Sequence, residues 1–226
     1  KSAFNVGYGA NSLFRAIKAF EMYWNAEGMK TLYSGTVTLD GVDYTISPET
    51  SYGYADKNWG RNFTSPWVWL SSCNLRSKIS GKVLSESVFD LGGGRPKIYF
   101  LPLNRKRLVA ICYEGDAYEF NFSKFWTGSK TEFSYEETDD EIIWHVRQEI
   151  FKAVMETEVH CKKSEMLLVK YESPDGQMRH NRLWNGVTGT GTIKLWRKRP
   201  GNWLEVIDEI EATHIGCEYG EYCPAE

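Results

Sequence analysis

The chain has 226 residues, 42% of them hydrophobic and 25% charged, with a formal net charge of −3. That is enough for one large domain, or one and a half ordinary ones, to fold without a disulfide or metal staple. The acidic balance argues against a general nucleic-acid binder, which carries a basic excess. No stretch approaches about 18 consecutive apolar residues, so nothing reads as a membrane-spanning helix. Nine Trp, thirteen Tyr and eleven Phe are the unusual component, and with 20 Gly they suggest strands, turns and an apolar pocket.

The five cysteines, Cys73, Cys112, Cys161, Cys217 and Cys223, are scattered and form no C-x-x-C. Zinc ribbons and thioredoxin-type motifs are thereby excluded. Such thiols read as small buried hydrophobes in a reducing compartment, and only Cys217 and Cys223 are close enough to suggest a bridge. The chain opens Lys1-Ser2-Ala3 without an apolar segment, so no signal peptide is visible and a cytoplasmic location is favoured.

In chain order, Leu13, Phe14, Ile17 and Phe20 follow helical spacing, with Ser12 as the expected N-cap. Thr36–Ile46 alternates on both sides of Asp40-Gly41, the pattern of a hairpin with a type I′ turn that pairs Leu39 with Val42 and Val37 with Tyr44. Gly92-Gly93-Gly94 is expected to break a strand over Val83–Leu91 from one over Lys97–Leu101. A second hairpin runs Leu108–Tyr113, turns at Glu114-Gly115-Asp116 and returns to Phe122. A third joins Thr131–Tyr135 to Ile142–Val146. Further strands follow over Ala153–His160, Met166–Tyr171, Gly191–Trp196 and Trp203–Ile210, with turns at Ser173-Pro174-Asp175-Gly176 and Arg199-Pro200-Gly201-Asn202. Strands at intervals of about 8–12 residues predict an all-β, antiparallel, lipocalin-like β-barrel or strongly curved sandwich of about eight to twelve strands, with at most one or two short helices.

Most chemical motifs are missing. There is no G-x-S-x-G, no G-x-x-x-x-G-K-[ST] and no H-E-x-x-H. Gly7-Tyr8-Gly9-Ala10-Asn11-Ser12 lacks the third glycine of a dinucleotide loop. His145, His160, His180 and His214 never reach metal-ligand spacing, so no metal is expected. Arg105-Lys106-Arg107 and Arg197-Lys198-Arg199 read as solvated loop charges. The segment 52–70 differs: it packs six aromatics, Tyr52, Tyr54, Trp59, Phe63, Trp67 and Trp69, around Asp56-Lys57-Asn58. If it is extended, Tyr54, Asp56 and Asn58 share one face, and Trp67 with Trp69 oppose Val68 with Leu70. A purely structural reading, in which the rings fill core and the polar residues tie down a turn at Gly60, stays open on these grounds.

Asp56-Lys57-Asn58-Trp59-Gly60, followed by Phe63, Pro66, Trp67, Trp69 and Asn74, resembles the E-K-N-W-G…F-P…W-x-W…N signature of tocopherol cyclase-like proteins. The similarity extends through Gly41–Tyr44, the Tyr113–Phe120 hairpin and Gly176–Trp196, so residues 1–226 resemble, as a single β-barrel domain, the C-terminal part of that family. Its N-terminal part, with a G-W-Y/F type motif, has no counterpart here and is an expected partner barrel. Asp56 stands where Glu is usual, which shortens the carboxyl by one methylene.

The resemblance implies a lipophilic, prenylated ligand in a barrel cavity and acid-promoted closure of a prenylated phenol to a chromanol, with no cofactor. It makes Asp56 the catalytic acid. Substrate contacts fall to Tyr54, Trp59, Phe63, Trp67, Trp69 and Asn74, and structural roles to Lys57, Asn58 and Gly60: Asn58 holding backbone near Gly60, Lys57 pairing with a carboxylate. Arg61 is the cation whose approach would fix Asp56 as a permanent carboxylate. A non-catalytic lipocalin-like carrier remains the alternative. A carbohydrate-binding module is the weaker one, since it needs an exposed aromatic platform.

Overall fold

A computed structural model of the chain describes residues 7, 8, 10–104, 106–172, 176, 178–201 and 203–221. Its first half contains β1 (Gly7–Tyr8), the helix α1 (Ser12–Ala16), β2 (Met22–Leu32), β3 (Gly35–Leu39), β4 (Val42–Ile46), β5 (Tyr52–Gly60), β6 (Trp67–Ser72), β7 (Asn74–Ser77), β8 (Val88–Gly94), β9 (Lys97–Ile98) and β10 (Leu101–Pro102). The second half continues with β11 (Lys106–Tyr113), β12 (Asp116–Asn121), β13 (Lys130–Glu137), β14 (Glu141–Glu149), β15 (Ala153–Lys162), β16 (Met166–Glu172), β17 (Met178–Lys198) and β18 (Leu204–Glu221).

Nine strands form one antiparallel path, β12-β11-β8-β6-β18-β17-β15-β14-β13, with β16 added on β17 and β7 on β18. The period-two pattern decides what each strand buries. Ile142, Trp144, Val146 and Gln148 point one way from β14 and are buried, while their neighbours are only half-covered. Residues from distant parts of the path, Phe120 on β12 and Trp144 on β14, are fully buried in one cluster with Leu70, Leu91 and Ile193. The sheet therefore curls into a half-barrel around an aliphatic and aromatic filling. A smaller sheet, β1-β2-β5, covers its other face, where Trp24, Ala26 and Met29 pack against Val88, Ala110 and Cys112.

The expected hairpin turns are present. Asp40 and Gly41 both have positive φ, 51° and 78°, with Leu39 opposite Val42 and Val37 opposite Tyr44. That hairpin, however, pairs with no other strand among the described residues, and its apolar face is exposed. Glu114-Gly115 turns β11 into β12, with Tyr113 opposite Asp116, and β13 pairs with β14 as read. The final hairpin is much longer than expected: β17 has 21 residues and β18 has 18, with bulges near Gly186, Gly189 and Gly191 that let the ribbon bend.

Several expectations need correction. Gly92-Gly93-Gly94 does not interrupt a strand but completes β8, paired on both sides with β6 and β11. A Cβ on Gly94 would sit 1.9 Å from the Pro66 carbonyl, and one on Gly93 2.3 Å from that of Lys106, so the run exists for close backbone approach. The helix ends at Ala16, its N-cap is Asn11, whose side chain accepts from the Phe14 N–H, and positive φ at Lys18 turns the chain away. Arg107 is not a solvated loop charge: it is buried on β11 with its guanidinium 4.0 Å from the Phe133 ring centre. Lys198 and Arg199 pair with Glu149 and Glu205. The curled sheet itself, a nine-strand path with β7 and β16 added, falls within the roughly eight to twelve strands expected. Cys217 is a buried free thiol; Cys223, Arg105, Asn202 and the start of the Ser173-Pro174-Asp175-Gly176 turn lie outside the described residues.

Gly94→Ala places a methyl group against the Pro66 carbonyl in a paired strand. Chemical denaturation should show a loss of about 1–3 kcal/mol or more, and an unchanged midpoint would contradict this packing.

Candidate active site

Alternation along β6 sends Val68 and Leu70 into the half-barrel filling and turns Trp67 and Trp69 to the opposite face, under the small sheet. Both indoles lie between β8 and β18, with Trp69 opposite Gly92 on one side and Glu218 on the other. Glycines make their seat. A Cβ on Gly216 would come within 2.6 Å of the Trp69 ring, and one on Gly92 would touch both rings at 3.8 Å. The tryptophans thus face away from the filling of the curl, not into it as expected, because that interior is occupied by the aliphatic partners on the same strand.

Three carboxyl groups gather on this face. Asp90 on β8 is fully buried and accepts from Trp69 Nε1 at 2.9 Å. Tyr54 on β5 stacks obliquely over Trp69, with ring centres 5.1 Å apart. Its hydroxyl lies 3.2 Å from Asp90 Oδ2 and 3.3 Å from Asp56 Oδ2. Trp24 Nε1 on β2 donates to Asp56 Oδ2 at 2.7 Å and lies 3.2 Å from the Tyr54 hydroxyl. Beside this group, Glu218 on β18 accepts from Trp67 Nε1 at 2.8 Å, from Asn185 Nδ2 at 2.9 Å and from the Tyr171 hydroxyl at 3.3 Å.

Among the described residues, no ion pair includes Asp56, Asp90 or Glu218. Burial raises the pKa of Asp90 well above the carboxylate range, against the opposing pull of Trp69 and Tyr54. Burial likewise raises Glu218 despite Trp67 and Tyr171, and the nearby Asp56 charge adds to the effect. Asp56 is raised by withdrawal from water too, opposed by Trp24, Tyr54 and Asn58. As a residue Asp56 is exposed, since β5 is the edge of its sheet; its carboxyl is the part crowded by Trp24 and Tyr54. Arg61 does not reach it, and its charge acts on Glu21 instead. The Tyr54 hydroxyl is pushed far up by burial and by both aspartates, so it stays protonated.

The hydrogen atoms can now be assigned. Tyr54 has one proton to give and two carboxyls within reach. With Asp90 neutral, its proton goes to the Tyr54 oxygen and the Tyr54 proton goes to Asp56. The result is a chain from a buried carboxyl, through a phenol, to a carboxyl at the sheet edge.

Two clefts meet at Trp67. One, of ≈ 60 Å³, is walled by Phe20, Tyr23, Trp24, Leu108 and Phe122. The other, of ≈ 180 Å³, is walled by Asn58, Phe63, Tyr171, Leu183 and Glu218. Met22, Thr64 and Trp67 border both.

Of the residues singled out in the sequence, Tyr54, Asp56, Asn58, Phe63, Trp67 and Trp69 come together here, Phe63 stacked on Tyr171 at 5.7 Å. Trp59 instead stacks on Tyr23 and faces a separate cleft. Asn74 lies off the site, its Oδ1 accepting from the Tyr52 hydroxyl at 2.8 Å. Asn58 serves the Asp56 carboxyl and not backbone near Gly60. Gly60 is no turn: it closes β5 opposite Met22, where a Cβ would strike the Glu21 carbonyl at 2.2 Å. Lys57 is exposed and in no ion pair among the described residues.

Trp24, Asp90, Tyr171, Asn185 and Glu218 were not found from the sequence. Asp90 carried a signal: a lone acid within Val88–Leu91 has no solvated face to occupy. Among the described residues no cluster of His, Cys, Asp and Glu could hold a metal ion, and no helix is long and apolar enough to cross a membrane.

A raised carboxyl pKa in the folded state means that the unfolded chain ionises first as pH rises, so Asp90 withdraws stability from about pH 4 upward. Asp90→Asn keeps the acceptor for Trp69 and removes the titration. Its denaturation curves should match the parent near pH 4 and lose less stability towards neutrality; parallel pH profiles would contradict a neutral Asp90.

No curated protein and no solved structure matches the chain. The model of the family described as tocopherol cyclase-like matches it over residues 5–221, nearly its whole length. The chain belongs to the tocopherol cyclase-like family.

Proposed function

We propose that the protein binds a prenylated phenol on the face shared by β5, β6, β8 and β18 and closes it to a chromanol by acid catalysis. The observation that carries this reading is the set of three carboxyls gathered on one face and held by indole N–H groups, with no cationic partner among the described residues; burial raises the pKa of each. A carrier of lipophiles has no use for such a set. An acid that protonates carbon, by contrast, must hold its proton at working pH.

Asp56, at the sheet edge, delivers a proton to the less substituted carbon of the prenyl double bond. The tertiary carbocation forms among the faces of Trp24, Trp67, Trp69 and Tyr54, each ring stabilising it by about 0.5–2 kcal/mol. The phenol oxygen attacks the cation, the C–O bond closes, and the phenolic proton passes to the Asp56 carboxylate left by the first step, which restores the acid. One proton enters and one leaves, so the reaction is an isomerisation and consumes no co-reactant. Tyr54, hydrogen-bonded to both Asp90 and Asp56, holds the Asp56 carboxyl in place through the cycle. Both clefts at Trp67 fall below the roughly 300 Å³ that a ligand of this size occupies, so the Trp67 ring has to swing for the prenyl chain to enter.

The carbohydrate platform loses ground, because Trp67 and Trp69 are half-buried and tied to carboxyls, not laid out in an exposed row.

Asp56→Asn should cut turnover of a prenylated hydroquinone by about 10²–10⁴-fold while leaving its binding intact. Tyr54→Phe should give a smaller loss, and the parent rate should fall as pH rises through the raised Asp56 pKa. Binding without turnover in the parent protein would turn the reading to a carrier. Loss of folding in Asp56→Asn would make the residue structural.

A further inference from the structure

A third cleft lies on the far side of Phe20 and Tyr23 from Trp67. It measures ≈ 420 Å³, within the range that holds a small organic ligand. Its apolar surface is mostly aromatic, Phe20 and Tyr23 with the partly exposed Trp59 and Tyr99, joined by Ile17. The rings are fixed. Tyr23 stacks on Trp59 at 5.7 Å and 21°, and its hydroxyl accepts from the Phe20 N–H and donates to the Phe14 carbonyl. The Tyr99 hydroxyl donates to the Ile17 carbonyl at 3.0 Å. Gly60 contributes bare backbone to the lining, packed against the Glu21 backbone.

The rim carries Arg15, Lys18 and Arg61, and no acid lines the cleft among the described residues. The left-handed backbone at Lys18 ends α1 and sets that residue at the mouth. Arg15 also donates to the Ala10 carbonyl at 2.6 Å. Glu21, whose carboxyl feels the Arg61 charge, is largely buried and also faces Lys97 at 3.9 Å, so it offsets only part of the positive charge. In a chain of net charge −3, three cations around an aromatic floor with no lining acid select one kind of ligand.

We propose that this cleft binds an organic anion with an apolar, ring-stacking or prenyl body and a single carboxylate or phosphate group. The body lies against Trp59, Tyr23 and Tyr99. The anionic group meets Lys18, Arg61 and Arg15, where charge-assisted hydrogen bonds favour it over a neutral hydroxyl. The site does not depend on the acid chemistry of Asp56. Because Phe20 and Tyr23 wall both spaces, its occupant sits back to back with the cleft beside Trp67.

Calorimetric titration with farnesyl monophosphate, farnesoate and farnesol tests the assignment. The parent protein should bind at least one of the two anions about tenfold more tightly than the alcohol, and added salt should weaken the anion alone. The double variant Lys18→Glu, Arg61→Glu should lose that preference, whereas Asp56→Asn should keep it, which separates this site from the proposed catalytic one. Which anion responds names the headgroup. Equal affinity for all three in the parent, a salt-independent preference, or a preference that survives charge reversal in a folded double variant would overturn the proposal.

Discussion

The architecture of this face depends on carboxyl groups taken out of water and satisfied by indole N–H groups instead of cations. A tryptophan is a donor with a large apolar body. It can meet a carboxyl oxygen without supplying the positive charge that would hold the group ionised. Trp69 does this for Asp90, Trp24 for Asp56 and Trp67 for Glu218. Trp67 and Trp69 come from β6 of the half-barrel and Trp24 from β2 of the small sheet, so the carboxyls exist as a set only when the small sheet is seated on the half-barrel.

Glycine is the complement of that arrangement. The indoles on β6 need space on both flanking strands, and Gly92 and Gly216 provide it. Gly93 and Gly94 let the neighbouring backbones close against β8. A run that looks like a chain break is therefore the part of the sheet that can least accept a side chain. The same packing explains why the curl's interior is not a ligand space: the residues opposite the indoles, Val68 and Leu70, are fully buried in its filling.

Local chemistry made much of the fold legible. Asp40-Gly41 and Glu114-Gly115 mark their turns because Gly41 and Gly115 take positive φ at little cost, and strict alternation in β14 and β15 gave their buried faces. The alternation that put Tyr54, Asp56 and Asn58 on one face also placed half of the site. The other half was not legible, because it comes from strands far apart in sequence: Trp24 meets Asp56 across the small sheet, and Asp90 and Glu218 flank Trp69 through pairings no local pattern encodes. Arg107 reads as one of three loop charges, and only the half-barrel shows that it sits on the Phe133 ring. Trp59 and Asn74 belong to the recognised motif, yet the fold sends one to the cation-rimmed cleft and the other to Tyr52.

The central claim is that the buried carboxyl at Asp90 is protonated at neutral pH and hydrogen-bonded through Tyr54 towards Asp56. Infrared spectroscopy of the protonated carboxyl C=O stretch, recorded at neutral pH on the parent and on Asp90→Asn, measures this directly. The account predicts a protonated-carboxyl band in the parent that is lost in Asp90→Asn and shifts in Tyr54→Phe. A parent spectrum with only carboxylate bands would contradict it.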